Sequence, residues 1–234
     1  LNPRVSVLMP ARNAARFVAE QVRCVLAQDH ASFELVACDN GSGDGTWAEL
    51  QRFRCDPRVR LLRNEVGTTV GAVRNRLLRA ARGRYVMPCD ADDWLLPGSV
   101  SRLAGFLDRH PAVGYCYGSF LMLETGRGKR LQRAPWVRGR PHDPDADLFE
   151  FTANHAGALL RRDLALAVGG YDEDTPLDSV SLTLKLAEVT RLQLVPGAVT
   201  YVYRRRVRAG RRPDWARAFL ALARRAQQRR AARP

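Results

Sequence analysis

The chain has 234 residues, 46% of them hydrophobic and 26% charged, which suffices for one sizeable core, and no apolar run approaches the ~20 residues of a membrane span. Its net charge of +14 is unevenly placed: Arg204–Pro234 holds twelve arginines and one acid, so residues 1–203 carry only +3, a balance that argues against a nucleic-acid-binding body. Cys24, Cys38, Cys55, Cys89 and Cys116 are odd in number and lack CxxC spacing, which excludes a zinc site or disulfide frame and fits reduced thiols in a cytoplasmic protein.

Along the chain, strand and helix patterns alternate, which predicts a parallel sheet covered on both faces. Val5–Met9 reads as a strand, Ala14–Ala27 as a helix, Phe33–Cys38 as a strand and Gly45–Phe53 as a helix. Val59–Leu62 is strand-like, Thr69–Ala81 helical, Tyr85–Pro88 a strand and Pro97–Arg109 a helix with proline in its first turn, ahead of the strand Val113–Tyr117. Glu124–Asp147, rich in Gly, Pro, Arg and Asp, reads as a long excursion with little regular structure. Helices over Arg162–Val168 and Leu177–Glu188, strands over Leu192–Val195 and Ala198–Tyr203, and a basic helix over Asp214–Arg230 complete the pattern.

The chemistry concentrates at strand ends. Tyr85–Pro88 delivers Asp90, Asp92 and Asp93 to the carboxyl edge of the sheet, where open α/β sheets bind ligands. Like charges this close call for a cation. Oxygen donors suit Mg²⁺ or Mn²⁺ shared with substrate phosphates; the other reading is a solvated acidic turn. Pro10–Asn13 leaves the first strand at the same edge, or is a turn that Asn13 caps. In Asp39–Thr46 the glycines make a tight turn and Asp44 caps the helix beyond.

Five segments occur in order: VSVLMPARN (Val5–Asn13), ACDNGSGDGT (Ala37–Thr46), GAVRN (Gly71–Asn75), CDADD (Cys89–Asp93) and GGYDED (Gly169–Asp174). The series resembles the family 2 glycosyltransferases, nucleotide-sugar-dependent enzymes of GT-A fold, over roughly Arg4–Arg208. The resemblance implies an α/β, Rossmann-like, mostly parallel sheet with helices on both faces, to which the residue pattern adds the C-terminal basic amphipathic helix. A domain over residues 1–212 is expected, with a nucleotide-sugar half to about residue 117 and an acceptor half from about residue 118, then a tail over 213–234. The implied activity is metal-dependent, inverting transfer from a nucleotide sugar, a UDP-sugar first. The acceptor would be a hydroxyl of a glycan, a natural product or a lipid-linked molecule; no nucleic-acid partner is expected.

By resemblance, donor contacts fall on Pro10, Ala11, Asn13, Asp39, Arg74, Asp90, Ala91 and Asp92. Asp39 would accept the N3–H of uracil, and Arg74 would meet base or diphosphate. Asp92, with Asp90, would hold Mn²⁺ or Mg²⁺. Asp93 and His155 are expected on the acceptor side, Asp93 alternatively as a helix cap and His155 alternatively as a structural residue. The family's base comes from a Glu-Asp pair ahead of a helix, and Leu184–Glu188 aligns Asp178-Ser179 with that pair. Serine cannot serve alone at neutral pH, so Asp178 is the expected general base, with Asp172 and Asp174 as alternatives and a helix N-cap as its other reading. Two further departures are Asn40, where a second acid is common, and the lack of a histidine in Tyr203–Arg208. They leave a rival reading, a nucleotide-sugar-binding protein without turnover; a nucleic-acid-binding protein using the tail ranks below it. The tail helix, with Asp214 as N-cap and Trp215, Phe219, Leu220 and Leu222 as its stripe, has three expected fates: packing on the domain, pairing two copies, or lying at the inner face of a membrane.

Overall fold

A computed structural model describes residues 4–30, 32–125, 129–133, 155–206 and 214–232. Four parallel strands open it: β1 (Val5–Ala11), β2 (Phe33–Asn40), β3 (Val59–Asn64) and β4 (Tyr85–Pro88), lying in the order β3-β2-β1-β4. Helices α1 (Ala15–Leu26), α2 (Thr46–Gln51) and α3 (Val70–Ala80) connect them. Beyond β4 come β5 (Trp94–Leu95), α4 (Ser99–Arg109), β6 (Val113–Thr125) and β7 (Lys129–Arg133). These are followed by β8 (Leu159–Arg161), α5 (Arg162–Ala167), α6 (Asp178–Ala187), β9 (Arg191–Arg206) and α7 (Trp215–Ala231). They extend the sheet as β4-β8-β6-β9-β5, with β7 beside β6.

The opening strands are apolar on both faces because both faces are covered. Val5, Val7 and Met9 of β1 share a core with Val18 and Val22 of α1 and Leu103 and Leu107 of α4. Leu8, one residue out of phase, packs on the other face with Val73 and Leu77 of α3 and Leu182 and Leu186 of α6. Two tight approaches set the helices. A Cβ on Gly71 would lie 2.5 Å from the Asp172 carbonyl oxygen, and one on Gly170, whose φ is +67°, would collide with the Asn75 side chain. Asp44 ties two helix starts, accepting from the backbone N–H of Ala15 and of Thr46, as carboxylates do at helix N-termini.

Several expectations need correction. The strand expected over Val113–Tyr117 runs on to Thr125 and turns back as β7, so the start of the supposed irregular excursion is a hairpin. Residues 134–154 lie outside the described segments. The two strands expected after Arg191 are one, interrupted near Gly197, whose φ is +69°. Trp94–Leu95 pairs with β9 antiparallel and has no counterpart in the predicted elements; a two-residue strand leaves no periodic signal.

Helix α7 packs on the same chain. Asp214 caps it, accepting from the Arg217 N–H, and Leu222 and Ala226 are buried against Val180 and Leu184 of α6, with Phe219 and Ala223 at the margin. Leu220, placed in the stripe by sequence, is instead 59% exposed. Arg229 forks onto Glu188 at 2.8 and 3.1 Å. A chain ending at Arg212 should therefore lose about 2–4 kcal/mol, the worth of burying one large and a few small apolar side chains. Its melting temperature should fall by about 4–12 °C at every protein concentration. A fall that vanishes on tenfold dilution would mean that the helix acts between copies instead.

Candidate active site

A cleft of about 570 Å³ opens at the carboxyl ends of β1, β2 and β4. Pro10, Ala11, Arg12 and Asn13 form one wall, Asp90, Ala91 and Asp92 another, and Arg74, Asn40, Thr68 and Tyr203 are among the other residues that line it. All the expected donor residues except Asp39 thus line one cavity. Its size falls within the range of small-molecule sites.

The β1 wall is held by local geometry. Asn13 adopts φ +50°, a left-handed conformation that asparagine tolerates. Its N–H donates to Ser42 Oγ and its Oδ1 accepts from Gly43 N–H, so the first two strand-end turns are stitched together. The cap of α1 is Ala14, not Asn13. Asp39 is fully buried. Oδ1 accepts from Ser42 N–H at 3.3 Å, and Arg63 Nε lies 3.7 Å from Oδ2, beyond hydrogen-bond reach. Among the described residues Oδ2 has no hydrogen-bond partner, a costly state that a donor N–H would relieve. Asn40, the departure from two acids, is fully engaged: Oδ1 accepts from Thr68 N–H and Asn64 Nδ2, and Nδ2 donates to the Thr68 carbonyl. An amide can both donate and accept, and here it pins the loop after β3; a second carboxylate could not donate.

Arg74 is the hub. It sits on α3, is buried, and its fork reaches Asp90 Oδ1 at 2.8 Å and Asp178 Oδ2 at 2.7 Å. Burial opposes its charge, but Asp90 and Asp178 outweigh that and raise its pKa. Its guanidinium also stands 5.8 Å from the ring of Tyr171. The expected base, Asp178, is the first residue of α6 and is 7% exposed. It is not the helix cap: Leu177 holds that position and makes no side-chain cap. Burial raises the Asp178 pKa, with Arg74 pulling the other way.

Asp178 is not among the residues that line the cleft and meets it through Arg74; the alternative bases do not line it either. Asp172 pairs with Lys185 at 2.8 Å, and Asp174 takes the fork of Arg225 from α7 at 2.7 and 3.0 Å. Asp93 and His155 do not line the cleft. Asp93 is buried, and its Oδ1 accepts the Arg204 N–H of β9 at 2.7 Å. Nor does it cap α4, whose N-cap is Gly98. Burial, with Asp90 and Asp92 nearby, pushes its pKa up to about 8. His155 is buried with Nε2 3.0 Å from the Tyr171 hydroxyl, and burial, then Arg74, depresses its pKa well below the usual range. In this geometry both are buried and held by contacts away from the cleft lining.

Arg12 and Tyr203 lie in segments that the sequence reading names without singling them out as cleft residues. Arg12 lies against Gly67, where a Cβ would come within 2.8 Å of its guanidinium carbon. A glycine 55 residues away gives no signal of that contact. Arg204, in the segment without histidine, lies between two rings, 4.1 Å from that of Trp94 and 4.4 Å from that of Phe17, and pairs with Glu20. It fastens β9 beside the cleft.

Among the described residues no three His, Cys, Asp or Glu side chains gather closely enough to hold an ion by themselves. Asp90 and Asp92 nevertheless fit a hard divalent cation of the kind that takes one or two carboxylates and completes its shell with water and substrate phosphates. No helix among those residues is long and apolar enough to cross a membrane.

A family profile described as glycosyl transferase family 2 matches residues 6–166. The chain is 32% identical over 122 residues to the UDP-Glc:α-D-GlcNAc-diphosphoundecaprenol β-1,3-glucosyltransferase WfgD of Escherichia coli, covering 52% of this chain and 47% of that one. It spans about half the length of the curated relatives it matches. In structure it is similar to TarS of S. aureus solved with UDP-GlcNAc, with a TM-score of 0.80 at 19% identity over 95% of this chain and 66% of that chain. It is also similar to the mannosyltransferase PcManGT of Pyrobaculum calidifontis, solved with GDP-Man and Mn²⁺, with a TM-score of 0.65 at 22% identity, covering 100% of this chain and 76% of that one. At these identities the structural likeness speaks to the fold, which is GT-A.

Proposed function

The chain belongs to glycosyl transferase family 2, and from that premise we propose that it transfers a sugar, with inversion, from a nucleotide-sugar donor to an acceptor hydroxyl. One observation carries the reading: Pro10–Asn13, Arg74, Asp90 and Asp92, remote in sequence, line a single cleft at the sheet's carboxyl edge. The donor assigned first is a UDP-sugar. The buried Asp39 Oδ2, beside the cleft-lining Asn40, is an acceptor suited to a uracil N3–H.

Asp90 and Asp92 would hold Mn²⁺ or Mg²⁺, which when bound neutralises charge on the leaving nucleoside diphosphate. Arg74 holds Asp90 in place and adds positive charge to the cleft lining. Asp178 takes the acceptor's hydroxyl proton as the acceptor oxygen bonds to the anomeric carbon. The bond from that carbon to the diphosphate oxygen breaks on the opposite side, and the nucleoside diphosphate leaves with the electron pair. Burial favours this role by raising the proton affinity of Asp178. The acceptor class left open by the cleft is a glycan, natural-product or lipid-linked hydroxyl. A second reading, donor binding without turnover, is favoured by one fact: Asp178 Oδ2 is already bonded to Arg74.

Thermal stabilisation by UDP-, dTDP- and GDP-sugars, each with and without Mn²⁺, tests the donor assignment. A ligand present at 100 times its Kd adds about 2.7 kcal/mol. UDP-sugars should raise the melting temperature most, and only when metal is present in full. Asp92→Ala should remove the Mn²⁺-dependent increment while leaving the melting temperature of the unliganded protein within a few degrees. Equal Mn²⁺-dependent gains in parent and variant would refute the assignment of Asp92.

A further inference from the structure

The geometry points to Arg225, on the C-terminal helix, as a positioning residue for Asp178, acting through the segment 170–174; the inference rests on Asp178 being the base. That segment is a strap gripped from three sides. On the α3 side, Asn75 Oδ1 accepts from Tyr171 N–H, and its Nδ2 donates to the Tyr171 carbonyl and to Glu173. Gly71, three residues before Arg74, lets the strap carbonyl of Asp172 approach the helix closely. On the α6 side, the Asp172 N–H donates to Ser181 Oγ at 2.9 Å, and that hydroxyl donates at 2.7 Å to the carbonyl of Asp178 itself.

From outside, α7 closes the grip. Arg225 reaches Asp172 Oδ2 at 3.3 Å and forks onto Asp174, while Lys185 of α6 holds the other oxygen of Asp172 at 2.8 Å. A guanidinium fork fixes direction as well as charge. Two cations thus balance two carboxylates at the outer end of the strap. At its inner end Asn75 and Tyr171 flank Arg74, whose fork holds Asp178 and Asp90. Arg225 therefore sets the orientation of the turn that carries Asp178 without touching the cleft. A general base misplaced by an ångström loses much of its effect.

Arg225→Ala should lower kcat about tenfold while the donor KM and the UDP affinity stay within about twofold. Arg225→Lys should recover part of the loss, because one ammonium can hold only part of the fork. The Arg225 pairs are partly exposed and hence screened. The kcat of the parent should fall between about 50 and 500 mM NaCl, and that of Arg225→Ala should not. Leu222→Ala separates positioning from packing. It trims the apolar seat of α7, where Ala226 and Phe219 remain and the Arg225 fork is kept, so the melting temperature should fall while kcat stays within about twofold. The inference is overturned if Arg225→Ala keeps parental kcat, or if both variants lose kcat in proportion to their melting temperatures. Binding of no nucleotide sugar by the parent would instead refute the proposed function. The strap is then judged by amide exchange over residues 171–181, which must quicken in Arg225→Ala.

Discussion

Arg74→Met is expected to destabilise the protein by about 3–5 kcal/mol at neutral pH, the usual cost of removing one partner from a buried charge cluster. Methionine fills similar volume, so the loss is electrostatic: Asp178 and Asp90 lose the fork that reaches both. The pH dependence follows from the same geometry. In the parent, burial raises the Asp178 pKa while Arg74 opposes the rise; without Arg74 the folded value climbs further and the unfolded one stays ordinary. An acid with a raised folded pKa weakens the fold at neutral pH, and the weakness is relieved as pH falls through that value. The deficit of Arg74→Met should therefore narrow as pH falls from neutrality into the acid range. Arg74→Met combined with Asp178→Asn should recover a large part of it, since no buried carboxylate then faces the gap. Urea unfolding across this pH range checks all three statements. A deficit under about 1 kcal/mol, or one independent of pH, would show that the cluster is not the electrostatic unit described.

Much of this was legible in the sequence because the signals were local. Val5–Met9, Phe33–Cys38 and Tyr85–Pro88 are short apolar runs ending at polar residues, and parallel strands with both faces covered look this way. Their order also placed Asp90 and Asp92 on the same edge as Pro10–Asn13. What escaped was set by distance in the chain. The two carboxylates on Arg74 lie 16 and 104 residues away, two residues past the end of β4 and on α6, and no pattern within one helix announces them. Likewise Asp93, next to two cleft-lining residues, turns inward because β9 offers it the Arg204 N–H. Asp172 and Asp174 read as alternative bases, and nothing local announces that α7 supplies Arg225 to both. His155 read as an acceptor-side residue or a structural one, and the structure buries it with Nε2 3.0 Å from the Tyr171 hydroxyl. Charge counting served the tail poorly for a similar reason. Arg225 and Arg229 belong to intramolecular pairs with acids of the strap and of the end of α6, so they are less available to an anionic partner than composition suggests.

Asp178→Asn should lower turnover by about 10²–10⁴-fold, the usual worth of a positioned proton acceptor, with UDP affinity near that of the parent. Asparagine keeps the shape and, through its Oδ1, the hydrogen bond from Arg74, so the cleft should survive. It cannot take a proton at neutral pH, and the acceptor hydroxyl would attack without assistance. The competing role is that of a brace. Asp178 Oδ2 lies 2.7 Å from Arg74 Nη1, and if orienting that guanidinium is its whole purpose, the amide does most of the work. Turnover would then drop by less than about tenfold, and the loss would show as weaker UDP binding. The two roles also differ in pH dependence. A base with a raised pKa gives a parental kcat that climbs with pH through that value and levels above it. In Asp178→Asn the limb should disappear, and the residual rate should depend on pH only through hydroxide. Retention of the limb in the variant would move the base to another carboxylate, with Asp172 the first candidate, because it meets α6 through Ser181. Its test is Asp172→Asn: Lys185 and Arg225 would both lose a charge partner, so stability should fall together with rate. Asp178→Asn, by contrast, should slow the reaction far more than it weakens the fold.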